Sequence, residues 1–197
     1  QNQDAMFFFL ENAPANVHVL VSTRSDPPWP LSRLRAREQL VELRAADLRF
    51  TPQESVAFMQ EVMMLDISLD DVDALYRRTE GWIVGLQMAA LSMQKREDAS
   101  AFIQEFTGTH RFILDYLLEE VLYHQSPEVR EFLLKTSILD RMNGSLCDAT
   151  LDAENSQSIL MQLEQVNLFI CPLGEERSWY RYHHLFSELL HNQLETT

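Results

Sequence analysis

The chain has 197 residues, of which 46% are hydrophobic and only 5 are glycine, and this composition favours compact, helix-rich domains over a β-sandwich. Its formal net charge of −14 argues against broad nucleic-acid binding, because an acidic surface repels phosphate backbones. No apolar run approaches the length of about 18 residues that a membrane span requires. The two cysteines, Cys147 and Cys171, match neither a disulfide framework nor a zinc site, so we expect a cytoplasmic protein.

The first 50 residues are predicted to be the end of an α/β sheet domain. Residues 4–12 predict a helix, and the short, β-branched run 17–21 predicts a buried strand. A short helix at 31–37 and a second strand at 40–43 follow. The chain begins Gln-Asn-Gln-Asp, without the features of a signal peptide or a natural start. We therefore expect a piece of a longer protein whose earlier strands complete this sheet.

Residues 51–107 predict a unit of four helices. Residues 51–54 (Thr-Pro-Gln-Glu) combine an N-cap, a proline at the first helical position and a capping-box acid. A second helix begins at Ser68, and Glu80-Gly81 ends it before the apolar run 82–93. The last helix covers residues 99–106.

Residues 108–197 predict the element order of a winged-helix domain. Helices are expected at 110–124, 126–134 and 156–166, strands at 168–172 and 179–182 with a turn at 174–177, and a closing helix at 184–194.

Arg24 follows the predicted strand 17–21, at the edge of the sheet where α/β folds bind their ligands. Its guanidinium could direct a fixed set of donors at a phosphate. A surface salt bridge is the alternative.

A second candidate is the segment around Gly85 and Gln87, since the start of the helix in 82–93 could cover a nucleotide base with free N–H groups. Simple core packing is the alternative there.

His183 and His184 stand where a predicted strand passes into a helix, and an imidazole there could hydrogen-bond a phosphate oxygen. A capping or partly buried histidine is the alternative. A metal site formed with His191 is disfavoured, because adjacent histidines diverge on a helix.

The chain also lacks a phosphate-binding Gly-x-x-x-x-Gly-Lys-Ser/Thr loop and hydrolase motifs. We therefore expect no catalytic residues and no enzymatic activity in this chain alone.

Separated motifs resemble, in the same order, those of the MalT-like, large LuxR-type ATP-dependent transcriptional regulators, which belong to the signal-transduction ATPases. They are residues 22–31 (STRSDPPWPL), 34–35 (LR), 80–87 (EGWIVGLQ) and 180–186 (YRYHHLF). The resemblance implies a mainly α chain made of the remnant of an α/β NTPase sheet, a helical bundle and a winged-helix domain. It places a P-loop core before this chain, and a superhelical sensor and a DNA-binding domain after it.

By this resemblance, Arg24 is the sensor arginine that reads the terminal phosphate. Gly85 and Gln87 correspond to the Gly-x-Pro motif that contacts the base, with Gln87 in place of the proline. His183 corresponds to the histidine of the Met-His-Asp motif that holds ADP in the resting state. The full-length protein would then bind ATP or ADP with magnesium, act as a slow ATPase used as a switch, and self-associate when activated. The rival interpretation is a nucleotide-independent helical module that binds partner helices.

Overall fold

The computed structural model describes residues 2–14, 16–23, 25–94, 99–174, 176 and 178–196. It is mainly helical, as predicted, with one two-stranded antiparallel sheet in the described part of the chain. The helices are α1 (Asn2–Asn12), α2 (Leu31–Ala36), α3 (Pro52–Ala57), α4 (Leu69–Thr79), α5 (Ile83–Met93), α6 (Ala99–Glu105), α7 (Arg111–Tyr116), α8 (Pro127–Thr136), α9 (Gly144–Leu151), α10 (Ser156–Gln165) and α11 (His184–Thr196). The strands are β1 (Ile170–Leu173) and β2 (Trp179–Tyr182), and the π-helical segments Phe58–Val62 and Leu117–Leu122 continue α3 and α7.

The first 50 residues do not form the predicted sheet. The two short helices are present, but the described residues of 17–21 and 40–43 form no strand. Leu20 is 92% exposed and Val41 is 89% exposed. A strand requires neighbours that bond its N–H and C=O groups and cover its apolar side chains. The described part of this chain supplies none, so the prediction of buried strands is wrong for the chain as it folds here.

The helices of residues 51–107 begin and end at the predicted signals. The hydroxyl of Thr51 accepts a hydrogen bond from the Glu54 N–H at 3.2 Å, and the Glu54 carboxylate accepts one from the Thr51 N–H at 2.8 Å. This reciprocal pair is the predicted capping box. Ser68 caps α4 with its hydroxyl, which accepts a hydrogen bond from the Asp71 N–H at 3.1 Å. The helix ends at Glu80, which has a left-handed backbone with φ of 50°.

In residues 108–197 the two predicted strands of the hairpin are confirmed, whereas the predicted turn at 174–177 includes residues 175 and 177, which lie outside the described residues. Strands β1 and β2 pair in antiparallel register, from Ile170 opposite Tyr182 to Leu173 opposite Trp179. Helix α9 has no counterpart among the predicted helices. Its local signal is Asn143, whose side-chain oxygen accepts a hydrogen bond from the Leu146 N–H at 2.8 Å.

The buried apolar residues form one cluster that runs from Met59 to Leu190 and so includes both the four-helix segment and the hairpin segment. Gly108 lies between these segments, and a Cβ at that position would be 1.9 Å from the carbonyl oxygen of Leu185 in α11. Only glycine allows this close approach. The domain boundaries at residues 50 and 107 remain predictions, because a core shared by two segments does not show where one domain ends and the next begins.

Candidate functional site

The structure places the predicted site residues in very different environments. Arg24 lies outside the described residues. Gly85 is buried in α5, while Gln87 is exposed on the same helix. A Cβ at Gly85 would lie 2.8 Å from the indole of Trp82, and the Trp82 ring centroid is 6.1 Å from that of His183. The Trp82 ring therefore lies close to both Gly85 and His183. Gln87 is exposed and does not belong to this group.

His183 is buried, with 1% of its surface exposed, between β2 and α11. Its Nε2 atom is 2.9 Å from the carbonyl oxygen of Thr79, 104 positions earlier in the chain. Because a carbonyl only accepts, Nε2 carries the proton in this hydrogen bond. Its Nδ1 atom is buried and has no hydrogen-bond partner among the described residues. The backbone N–H of His183 donates to Phe169 O at 2.8 Å.

Aromatic rings surround the imidazole of His183. The ring centroid of Phe169 is 5.6 Å from that of His183 and 5.0 Å from that of Trp82. Burial in these surroundings lowers the pKa of His183 to about 4, although the nearby Glu80 carboxylate opposes the shift. The imidazole is therefore neutral at pH 7.

Glu80 forms an ionic cluster beside His183. Its carboxylate accepts hydrogen bonds from both terminal nitrogens of Arg181, at 2.7 and 2.8 Å, and from the backbone N–H of His184 at 3.0 Å. Arg49 donates to the same carboxylate at 3.2 Å. Burial alone would raise the pKa of Glu80, but the hydrogen bond from Arg181, the charge of protonated His183 and the hydrogen bond from the His184 N–H lower it to about 2. Since His183 is neutral above pH about 4, Arg181 supplies the positive charge that keeps Glu80 ionised at neutral pH.

Glu80 contributes to the lining of two clefts. The first has a volume of about 460 Å³ and is lined by residues that include Arg49, Tyr76 and Arg77. The second has a volume of about 440 Å³ and is lined by residues that include Arg78, Arg181 and His184. Arginine side chains line both clefts together with the Glu80 carboxylate, so both signs of charge face the space between them.

Sequence reasoning missed Glu80, Arg49 and Arg181 as a group. The sequence predicts only a helix end at Glu80-Gly81, and it presents Arg181 only as part of a motif. The local signal is an acidic residue directly before a glycine at a helix end, but its two arginines are 31 and 101 positions away. No sequence pattern joins residues at such separations.

The described residues contain no group of three His, Cys, Asp or Glu side chains that could hold a metal ion. They also contain no helix long and apolar enough to span a membrane.

Residues 118–197 match the family described as the MalT winged helix domain. The chain is 36% identical over 189 residues to the "HTH-type transcriptional regulator MalT" of Klebsiella pneumoniae, which covers 95% of this chain and 21% of that protein. It is 33% identical over 192 residues to the protein of the same name in Vibrio campbellii, with 96% and 21% covered. It is 33% identical over 195 residues to the "Serine/threonine-protein kinase PknK" of Mycobacterium tuberculosis, with 99% and 18% covered.

The chain spans about a fifth of the length of these curated relatives. The match to the winged helix domain coincides with the confirmed hairpin and with the helices on either side of it. These similarities support a MalT-like family for this chain, with the winged helix domain at residues 118–197.

Proposed function

We propose that this chain is the coupling part of a transcriptional regulator whose ATP or ADP state sets the orientation of the winged helix. The observation that carries the proposal is the junction between residues 79–82 and 181–184, where His183 bonds Thr79 and Glu80 bonds Arg181. A nucleotide can bias a two-state protein only through contacts that differ between the states. This junction offers such contacts, because it joins the helical unit to the winged helix.

The relatives support a coupling role. Similar segments occur in proteins named as a transcriptional regulator and as a serine/threonine-protein kinase. A segment shared by proteins with different named activities is better explained by regulation than by either activity itself. In the longer protein that we propose, a P-loop core precedes this chain, and a sensor and a DNA-binding domain follow it. Residues 1–50 would then complete the α/β core, and the exposed run 17–21 would pair with its strands. We propose a cytoplasmic location and self-association in the ATP state.

Within this proposal, Arg24 contacts the terminal phosphate, Gly85 and Gln87 lie near the base, and His183 contacts ADP. The Nδ1 atom of His183 is buried and has no hydrogen-bond partner among the described residues, so it is the atom that a ligand could engage. However, Nε2 already donates to Thr79, so neutral His183 offers only an acceptor at Nδ1. A phosphate oxygen also only accepts. His183 must therefore take up a proton, or release Thr79, to donate to a phosphate.

This role predicts a selective loss of ADP affinity. In the full-length protein, His183→Ala should weaken ADP binding by roughly 10- to 100-fold, as expected for the loss of one charge-assisted hydrogen bond. ATP binding should weaken less. Calorimetric titration with each nucleotide measures both affinities.

The matched control is His184→Ala, because the His184 side chain is exposed and the backbone N–H that bonds Glu80 is kept. It should leave both affinities nearly unchanged. Equal losses of ADP and ATP in His183→Ala, or a larger ADP defect in His184→Ala, would contradict the proposed role.

The chain by itself is expected neither to hydrolyse ATP nor to bind it tightly, because it has no phosphate-binding loop. Calorimetry with ATP and magnesium on the 197-residue protein tests this. Micromolar affinity, or any turnover, would be inconsistent with the proposal.

The second candidate function is a nucleotide-independent helical interaction module. Exposed apolar side chains in the first 50 residues favour it, including Phe8 (69%), Leu20 (92%) and Leu43 (66%). The two candidates differ in what precedes the chain. A phosphate-binding loop upstream supports the switch, and its absence supports the interaction module.

A further inference from the structure

Three consecutive residues at the end of α4 connect the helical unit to both flanking parts of the chain. The carbonyl of Thr79 accepts from His183, and the carboxylate of Glu80 accepts from Arg181. The carbonyl of Gly81 accepts from the backbone N–H of Phe50 at 2.9 Å. Phe50 ends the amino-terminal segment, whereas His183 and Arg181 belong to the winged helix. These hydrogen bonds to both parts converge on one short piece of backbone, beside a direct contact in which Arg49 donates to the Cys171 Sγ of β1 at 3.6 Å.

At this junction one carboxylate, that of Glu80, pairs with the guanidiniums of two arginines. Among the described residues, the ion pairs of Arg49 and of Arg181 are both with Glu80. The Glu80 side chain is only 15% exposed, while those of Arg49 and Arg181 are 36% and 37% exposed. One carboxylate thus holds two guanidiniums that would otherwise repel each other. If either arginine is lost, the carboxylate loses part of what fixes its position.

The backbone of Glu80 also depends on these contacts. Its φ of 50° is left-handed, a conformation that residues with a Cβ disfavour, and Gly81 follows with φ of 73°. Such a conformation persists where surrounding contacts enforce it. When the carboxylate is released, the backbone can relax, and Gly81 moves with it. A change at Arg181 on the winged-helix side is thereby passed through Glu80 and Gly81 to Phe50.

We propose that Glu80 is a coupling residue: its carboxylate and its strained backbone make the contacts of Phe50 and of the winged helix form and break together. The proposal concerns this chain alone and does not depend on nucleotide binding. It can therefore be tested independently of the proposed role of His183 in binding ADP.

Amide hydrogen exchange in the 197-residue protein tests the coupling. Arg181→Gln should accelerate exchange of the Phe50 N–H about tenfold, and Arg49→Gln should accelerate exchange of the His184 N–H by a similar factor. Arg181 and the Phe50 N–H lie on opposite sides of Glu80, so Arg181→Gln is the decisive variant; Arg49 also donates to Cys171 in β1, so its effect on His184 is supporting evidence. Glu80→Gln should accelerate both amides.

Two references separate coupling from a general loss of stability. Asp73→Asn also removes one surface charge, from the exposed pair that Asp73 forms with Arg77 at 2.8 Å, and should change neither amide. The Leu168 N–H, bonded to Leu163 O at 2.9 Å, reports the winged-helix core and should exchange at the wild-type rate in all variants.

The proposal is overturned if Arg181→Gln accelerates only His184 while Phe50 is unchanged, since the ion pair would then be purely local. It is also overturned if Leu168 accelerates as much as Phe50, which would indicate global unfolding. Should Glu80→Gln fail to fold, Arg181→Gln still decides the matter, because it predicts an effect at Phe50, across Glu80 from the substituted side chain.

Discussion

Replacing Gly81 by alanine is expected to lower the free energy of unfolding by about 3 kcal/mol or more, whereas the same change at Gly174 should cost about 1 kcal/mol. Both glycines have a left-handed backbone, with φ of +73° and +78°, so alanine meets similar local strain at each. Their surroundings differ. A Cβ at Gly81 would lie 2.3 Å from the carbonyl oxygen of Phe50, whereas one at Gly174 would meet no atom of the described residues within 4 Å beyond its chain neighbours.

The comparison therefore isolates the close approach of residues 50 and 81. Neither backbone can give way easily, because the Phe50 N–H also donates to Gly81 O. Urea unfolding of the two variants, followed by circular dichroism, measures the difference. Similar losses for both would mean that strain alone matters and that the contact with Phe50 is not needed.

Acidification from about pH 7 to pH 4 is expected to cost about 3 kcal/mol of stability through His183 alone. Its pKa falls from an ordinary value of 6.5 to about 4 on folding, because burial penalises the imidazolium. The unfolded chain therefore binds a proton between these values while the folded chain does not. Stability is fully present above pH 6.5 and is lost as the pH falls towards 4. Each tenfold difference in proton affinity between the folded and unfolded chains corresponds to about 1.4 kcal/mol, which sets the size of the effect.

A variant that cannot titrate supplies the control. His183→Gln keeps a donor for Thr79 but has no proton to bind, so its stability should change little between pH 7 and 5. Glu80 acts in a lower window, because its pKa falls from 4.5 to about 2 and its contribution is lost only below pH 4.5. Equal pH slopes for wild type and His183→Gln above pH 5 would contradict the assignment to His183.

The sequence by itself determined the elements whose cause is local. The capping box at Thr51 and the cap at Ser68 start helices because a side chain bonds an N–H three residues later. The pairing of β1 with β2 is also predictable, because only a few residues separate the two strands in the chain. The order of the helices in the winged helix follows from such signals, with the exception of α9. This helix was not predicted, although Asn143 caps its first turn.

Only the tertiary structure decided the features that depend on distant neighbours. The run 17–21 has the composition of a buried strand, but a strand exists only where another strand pairs with it. His183 could be located at a strand-to-helix junction, whereas its burial against Trp82 and its bond to Thr79 required the packed core. Glu80 gains its two arginines from positions 49 and 181, and the fold alone brings these charges together.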